Sequence, residues 1–146
     1  MSKTAAIEMA AVAGLSLILT HLRDPGRTSN FEIGELLATT LSAGEKLIAV
    51  GYGDSDTCDG VARMLQTLGA QLVDEDGHSL PIAAGGKSLL RLRNIDLGSI
   101  NKRVKDVTIN VAVNWYNMLP GSDGVARVFA VQSAPVLCRW SGFLQR

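Results

Sequence analysis

Apolar residues recur along this chain with two periods, which together predict alternating strands and helices. The apolar run Leu47–Val50 is typical of a buried strand, and a polar, glycine-containing loop follows it. Beyond the loop, apolar residues recur at helical spacing as far as Gly69, where a helix would stop: Val61, Met64, Leu65 and Leu68. Residues 46–69 therefore read as strand, loop and helix.

The rest of the chain continues this alternation. The predicted segments, in order, are a strand at Thr4–Met9, a helix at Ala10–Leu19, a loop at His21–Asn30, a helix at Phe31–Ser42 ending near Gly44, a short helix at Ser88–Arg93, an irregular stretch at Asp96–Asp106, a strand at Val107–Val113 and a further apolar stretch at Val125–Val131. Ala70–Val73 is strand-like, Asp74–Gly77 is a turn, and His78–Ile82 is predicted to return as a second strand. We therefore expect an α/β fold: a single, three-layer-like domain with a mixed sheet, helices on its faces and a β-hairpin near residues 70–82.

Composition and charge narrow the class of protein. The chain has 146 residues, of which 47% are hydrophobic, so it can bury a core and disorder is not expected. Its 14 basic residues balance its 14 acidic residues, which argues against nucleic acid or a membrane as partner. Thr4–Leu19 contains Glu8 and is too short to span a bilayer. With no signal peptide and two well-separated cysteines, Cys58 and Cys138, we expect a cytoplasmic protein with reduced thiols.

The loop after the Leu47–Val50 strand is the first candidate for chemistry. It carries Gly51, Gly53 and Gly60 together with three acids, which are Asp54, Asp56 and Asp59. Ligands of open α/β sheets bind where such loops leave the carboxyl ends of strands. Glycines let the backbone approach a ligand, and carboxylates there can hold a metal or accept a proton.

Three other residues are considered as site residues. Glu8 and Cys58 have two interpretations each, and His78 is set aside. Glu8, among apolar neighbours, is either a carboxylate that hydrogen-bonds a nearby loop or a site carboxylate. Cys58 is either an inert thiol or, at a helix start, a thiol of lowered pKa. His78 follows the acidic turn at Asp74–Asp76, but this turn offers too few ligands for calcium, and the two histidines lack metal-ligand spacing. We therefore predict no metal site.

Four stretches resemble motifs of one family, the type II glycerate kinases, which phosphorylate D-glycerate with ATP. Ile7–Leu15 resembles I-E-M-A-x-A-S-G-L, and residues 24–36 resemble N-P followed by T-T-S-Y-G-T-G-E-L. Gly51–Gly69 resembles G-I-G-G-S-A-T-N-D-G-G-x-G-M-L-x-x-L-G most closely, and Asn114–Gly121 stands where the family has D-V-D-N-P-L-x-G. The resemblance runs from about Thr4 to Gln132, which gives one domain at 1–132 and a divergent tail at 133–146 packed on it.

The chain also departs from the family pattern. Four family glycines are replaced, by Glu32, Asp54, Val61 and Arg63, and Asp56 and Cys58 replace an alanine and an asparagine. In the fourth motif Asn114 and Tyr116 replace both acids, although Asn117 is kept; a later lysine is lost at Ser133. Added aspartates beside an anion weaken its binding, because like charges repel.

The resemblance implies a fold, a site and cofactors. It implies that these residues form the smaller α/β domain of an enzyme about twice as long, without the Rossmann-like domain that shares its cleft. By this resemblance Asp59 is the catalytic base, and the substrate-binding residues are Glu8, Gly53, Ser55, Thr57, Gly60 and Asn117. ATP and Mg²⁺ are expected if the chain is active, and otherwise no cofactor.

Two functions follow from these observations. The first is a degenerate glycerate kinase-like domain without kinase activity alone, which acts as a binding or interaction module for a small hydroxy acid or a partner. The alternative is a D-glycerate kinase that is active only in a homo-oligomer or with a partner chain covering the face of the missing domain. A truncated product without a role is a third reading that the sequence does not separate from the first. For the module, Asp59→Asn is expected to change little or to relieve repulsion from Asp54 and Asp56.

Overall fold

The computed structural model describes residues 4–24, 26–82 and 84–113, together with Gly124. Three parallel strands form one sheet in the order β1–β2–β5, and two antiparallel strands, β3 and β4, form a second. The strands are β1 (Thr4–Glu8), β2 (Leu47–Tyr52), β3 (Gln71–Asp74), β4 (Leu92–Asp96) and β5 (Thr108–Val113). The α-helices are α1 (Ala10–Ala13), α2 (Phe31–Ser42) and α3 (Ala62–Thr67), and 3₁₀ turns cover Leu15–Leu17, Thr20–Leu22, Gly86–Arg91 and Lys102–Asp106.

The main core lies between the parallel sheet and α2. Alternate residues of the strands face α2, and α2 packs against them with apolar residues spaced four apart. The strands and the helix therefore each bury their apolar side. The buried residues are Ile7, Met9, Ala13, Ile33, Leu37, Leu41, Ile48, Val50 and Leu68. A smaller cluster of Ala62, Ala70, Leu72 and Leu80 joins α3 to the second sheet. The loop between β2 and α3 therefore starts from a strand of the main core and ends at a helix of the smaller cluster.

The opposite face of the parallel sheet is bare within the described residues. The strand register puts Ala6 beside Ala49 and Asn110, and puts Glu8 beside Gly51 and Ala112. Ala6, Ala49, Asn110 and Ala112 are all exposed. Parallel sheets usually have both faces covered, so the described helices supply one of two expected layers. No helix in this part of the chain has the length and hydrophobicity needed to cross a membrane.

The predicted α/β class with a mixed set of strands is confirmed, and so are most of its elements. Strands β1, β2 and β5 and helices α2 and α3 lie where the hydrophobic periods placed them. Both predicted helix ends are confirmed, because Gly44 and Gly69 follow α2 and α3 with φ angles of +82° and +101°. The apolar stretch at 125–131 lies outside the described residues.

Two local predictions need correction. The helix expected at Ala10–Leu19 stops at Ala13, because Gly14 is extended (φ −72°, ψ 145°). The chain does turn back at Asp74–Gly77, and Val73 bridges Ser79, but His78–Ile82 forms no regular strand. The ladder partner of β3 is instead β4, from a region predicted to begin as helix and continue as irregular chain.

Candidate functional site

The loop between β2 and α3, residues 53–60, is held in place from several sides. The backbone N–H of Leu15 donates to the carbonyl of Asp54 at 3.0 Å, and the N–H of Asp56 donates to the carbonyl of Ala13 at 3.1 Å. The Thr28 hydroxyl donates to the carbonyl of Asp56. These contacts come from the segments after β1 and before α2, so the loop lies at the carboxyl edge of the parallel sheet, where a ligand site was predicted.

Asp59 and Asn30 cross-link the starts of α2 and α3. Asp59 Oδ2 accepts the backbone N–H of Asn30 at 3.1 Å, and its Oδ1 accepts the N–H of Val61 at 3.2 Å. In return Asn30 Oδ1 accepts the N–H of Met64 at 2.9 Å. Both side chains are buried, each with 1% of its surface exposed. Each residue therefore satisfies amides at a helix start that would otherwise lack partners.

The surroundings of Asp59 change its basicity. Burial raises the pKa of its carboxyl, while the amides of Asn30 and Val61 and the charge of Arg63 partly offset that rise. A raised pKa suits a general base, but a base must also reach the proton that it removes. Here both carboxylate oxygens already accept backbone hydrogen bonds and face the protein interior.

Ser55 and Thr57 present the polar groups of the loop. Their hydroxyl oxygens lie 3.3 Å apart, and both residues are half-buried. A Cβ atom added at Gly53 or Gly60 would meet no atom within 4 Å, so space is open beside both glycines. Four of the predicted substrate-binding residues are thus on one loop, which has two hydroxyl groups and open space beside its glycines.

Glu8 lies next to the start of this loop. It ends β1 opposite Gly51 of β2, and a Cβ atom added at Gly51 would stand 2.6 Å from Glu8 Oε2. Its Oε1 accepts the N–H of Ala10 at 3.4 Å, which is a long and weak bond. The carboxylate is exposed. Glu8 therefore lies against the end of β2 and remains accessible at the sheet edge, and its role as a site carboxylate stays a prediction.

Two departures from the family's glycines fall at strained positions. Asp54 has φ 49° and Val61 has φ 69°, in the left-handed region that side chains avoid. Glycines in the family motif at these two positions are explained by this geometry. The loop thus holds Asp54 and Val61 in left-handed backbone although neither residue is a glycine.

Arg63 replaces a third family glycine and is fully buried, with 0% exposure. Its guanidinium donates to Gln66 Oε1 at 2.6 Å and to the carbonyl of Pro81 at 3.2 Å. It also donates to the carbonyl of Ala84 and to the Ser88 hydroxyl. Burial lowers the pKa of Arg63, and Asp59 partly offsets this. The side chain thus fastens α3 to the segment 81–88.

The pKa values of Tyr52 and Cys58 are both raised. For Tyr52 the cause is burial, followed by the charges of Asp59 and Cys58. For Cys58, which is exposed on one side, it is partial burial followed by Asp56 and Asp59. Of the two interpretations of Cys58, this direction favours the inert thiol, since a reactive cysteine needs a lowered pKa.

One group of three possible metal ligands occurs among the described side chains, and it lies away from the loop. Ligand atoms of Asp74, Asp76 and His78 lie within 4.8 Å of one another. However, Asp74 Oδ1 accepts the amides of Asp76 and His78, and Asp74 Oδ2 pairs with Arg91. The Arg91 guanidinium beside the Asp74 carboxylate disfavours the binding of a metal ion. These contacts therefore stabilise a turn and do not form a metal site.

The sequence missed three residues that shape the site. Asn30 was placed only at the end of a predicted loop, and neither Thr28 nor Arg63 was assigned a contact with the loop or its neighbours. Their partners lie 18 to 34 residues away along the chain, and no local pattern reports such pairs. Asn117, which was predicted to bind substrate, and the tail 133–146 lie outside the described residues.

Comparison with known proteins gives one consistent family. The model of the glycerate kinase family matches residues 1–134. Glycerate 2-kinase of Escherichia coli K12 is 44% identical over 130 residues, which are 89% of this chain and 34% of that protein. Glycerate kinase of Bacillus subtilis 168 is 39% identical over the same shares. The chain therefore spans about a third of the length of these relatives, which are longer than the resemblance implied.

A solved structure supports the same relationship. A crystal structure from Salmonella typhimurium LT2, assigned as a glycerate kinase 2, matches 88% of this chain with a TM-score of 0.81 and 39% identity. The chain covers 35% of that protein. The described fold is thus that of one part of a larger relative.

Proposed function

This chain belongs to the glycerate kinase family, and from that premise we propose that on its own it is a non-catalytic binding domain for a small hydroxy acid. The observation that carries the proposal is the position of Asp59. Its carboxylate is 1% exposed, and both oxygens accept backbone amides at the starts of α2 and α3. A substrate hydroxyl would have to displace one of these bonds to reach it.

The remaining loop residues favour binding without transfer. The hydroxyls of Ser55 and Thr57 can donate to a carboxylate or accept from a hydroxyl, and the space beside Gly53 and Gly60 admits a small ligand. Asp54 and Asp56 add negative charge to the loop, so a polyphosphate is a poor fit. A small hydroxy acid, with one negative charge and several hydroxyls, fits better.

The charges of the loop also argue against a magnesium nucleotide bound by this domain alone. In such complexes the ion is held mainly by phosphate oxygens and water, with one or two carboxylates, so the protein must bind the phosphates themselves. Asp54 and Asp56 disfavour that polyanion. We therefore assign no step to ATP or Mg²⁺ in the isolated domain.

Kinase activity within a larger assembly is the second candidate. The chain spans about a third of its relatives, and one face of its parallel sheet is bare in the described residues. A second copy or a partner chain covering that face would complete a cleft of the kind that phosphoryl transfer needs. In that arrangement Asp59 would have to leave its two amide bonds.

Thermal unfolding with defined ligands tests the proposal. We expect D-glycerate to raise the midpoint, because a ligand at 100 times its dissociation constant adds about 2.7 kcal/mol to the free energy of unfolding. We expect no further rise with ATP and Mg²⁺ and no ADP release in a coupled assay. Gly53→Ala puts a methyl group into the open space, so it should keep the fold and remove the D-glycerate effect. A midpoint unchanged by millimolar D-glycerate contradicts hydroxy-acid binding.

Asp59→Asn separates the two candidates. The structure changes the earlier expectation for this variant, because an amide NH₂ would face one of two backbone donors. We expect a loss of about 1–3 kcal/mol in the free energy of unfolding. Asp54→Asn is the matched control, since Asp54 is exposed and asparagine also tolerates positive φ. ADP release that depends on Asp59, measured at a temperature where the variant is folded, would favour the kinase.

A further inference from the structure

A surface cavity of about 420 Å³ lies outside the glycine loop, between the turn before α2 and the segment before β4. Six residues line it: Gly26, Arg27, Ala84, Gly85, Lys87 and Ser88. None of them belongs to residues 53–60, and none was assigned a role by the sequence. The volume lies in the range of small-molecule sites.

Close backbone packing builds this cavity. The N–H of Lys87 donates to the carbonyl of Gly26 at 3.1 Å. A Cβ atom added at Gly85 would collide with the backbone of Arg27, so only glycine allows the two segments to approach this closely. The Arg27 and Lys87 side chains therefore leave adjacent points of two joined segments.

The charge around the cavity is mainly positive. Arg27 and Lys87 are exposed, and within the described residues neither has an ion-pair partner. Beneath them the buried Arg63 donates to Ala84 and Ser88, two lining residues, and all its hydrogen-bond acceptors are neutral. The acid at this place is Asp24, whose Oδ1 accepts the N–H of Gly26 at 3.1 Å. Arg27, Lys87 and Arg63 thus stand against two carboxylates, that of Asp24 and that of Asp59, whose charge acts on Arg63.

We propose that this cavity binds a phosphate group, as the free dianion or as the phosphate ester of a small molecule. Arginine and lysine bind phosphate through charge-assisted hydrogen bonds, and Arg63 adds positive potential from below. A dianion matches the two exposed cations, Arg27 and Lys87, better than a monocarboxylate does. The site is independent of the proposed hydroxy-acid site, because the two share no residue.

Nuclear magnetic resonance titration of the ¹⁵N-labelled chain with sodium phosphate tests the site, with sodium chloride at equal ionic strength as reference. We expect saturable shifts of the Gly26, Gly85 and Lys87 amides. Removing both cations in Arg27→Gln/Lys87→Gln should weaken binding about a hundredfold, about tenfold for each charge-assisted contact. The control Lys102→Gln/Lys105→Gln removes the same charge from an exposed 3₁₀ turn and should leave the affinity unchanged.

Two further arms identify the ligand class and separate the two sites. Acetate should shift the same amides only weakly, and glycerol 3-phosphate should shift them as phosphate does. The Gly53→Ala variant should lose the response to D-glycerate and keep the response to phosphate. Equal phosphate affinity in the Arg27/Lys87 and Lys102/Lys105 variants, or the absence of saturable shifts at the cavity, would overturn the proposal whatever the outcome with D-glycerate.

Discussion

At the scale of single residues, the loop stores conformational strain in Val61. Its φ of 69° is left-handed, and a β-branched side chain is among the least suited to that region. Left-handed backbone costs an L-residue roughly 1–2 kcal/mol. Val61 directly precedes α3, and its N–H donates a hydrogen bond to Asp59. The surrounding hydrogen bonds therefore hold Val61 in the left-handed conformation.

Replacing Val61 by glycine should therefore stabilise the protein. We expect Val61→Gly to raise the free energy of unfolding by about 1 kcal/mol, because relief of strain exceeds the loss of a half-buried side chain. Urea unfolding measures it. Val12→Gly in α1, with the same change of side chain on helical backbone, should instead lower stability. A loss of similar size in both variants would mean that Val61 is not strained.

The sequence could identify the strained positions but not the bonds that hold them. Asp54 and Val61 stood out because they replace glycines of a recognisable motif. The pairing of Asn30 with Asp59 could not be read, since 29 residues separate them and asparagine before a helix is equally typical of an ordinary cap. Arg63 stood out only as the replacement of a motif glycine, and no local pattern indicated that it is fully buried.

At the scale of elements, the site depends on how closely α2 approaches α3. A Cβ atom added at Gly34 would stand 2.7 Å from Thr67 Cβ and 2.9 Å from Met64 Cα. The Thr67 hydroxyl also donates to the carbonyl of Phe31 at 3.3 Å. Glycine at this point of α2 lets the helices pack so that Asn30 and Asp59 can reach each other's helix.

Gly34→Ala should separate these helices. We expect it to lower the free energy of unfolding by about 1–3 kcal/mol, the usual cost of overpacking, although alanine favours helix more than glycine does. Gly53→Ala makes the same change in open space and should be neutral or slightly stabilising. Chemical denaturation of both variants provides the comparison. Gly34→Ala as stable as the parent would show that the helices can move apart freely.

Prediction succeeded for the elements that have a strong hydrophobic period. Helix α2 and strands β1 and β2 bury one regular side, so their sequences report them. Strand β5 is recognisable from its alternating sequence, although five of its six residues are exposed in the described structure. Strand β4 has four exposed residues of five and no such alternation, and it forms by pairing with β3. The predicted helix after β1 failed at Gly14, where backbone contact with Ser55 replaces helical bonding.

At the scale of the whole molecule, Asp59 and Asp74 oppose each other as pH changes. Burial raises the pKa of Asp59 above 3.8, so its ionisation reduces stability as pH rises from about that value through its folded pKa. For Asp74, burial acts in the same direction, but the amides of His78 and Asp76 and the charge of Arg91 outweigh it and lower the pKa. Its stabilising contribution is therefore present above 3.8 and is lost as pH falls through its folded pKa.

Asp74→Asn should consequently destabilise the protein in a pH-dependent manner. The amide oxygen can still accept from Asp76 and His78, but the charge that pairs with Arg91 is lost. We expect a difference from the parent at pH 7 that shrinks as falling pH protonates the parent carboxyl as well. Urea unfolding from pH 7 down into the acid range measures it, with the exposed Asp106→Asn as control. A difference that does not change with pH would assign the effect to packing.

The overall class could be predicted because strands and helices alternate in order, which is typical of parallel sheets. What covers the bare face of the sheet could not be predicted, because the alanines there, Ala6, Ala49 and Ala112, do not indicate which partner packs on them. The extent of the family match was predictable from the motifs. The contacts that lock the loop were not, since they depend on three segments meeting.

The strand order also governs how this chain can acquire its structure during synthesis. The central strand β2 pairs with β1 through Thr4 and Leu47, and with β5 through Leu47 and Thr108. Both pairings are distant in sequence, so each closes a long loop before any sheet energy is gained. On the ribosome, β1 and β2 can pair early, whereas the second edge of β2 stays unpaired until Thr108–Val113 has been synthesised. The growing chain thus exposes unpaired backbone N–H and C=O groups along β2, which a chaperone could recognise.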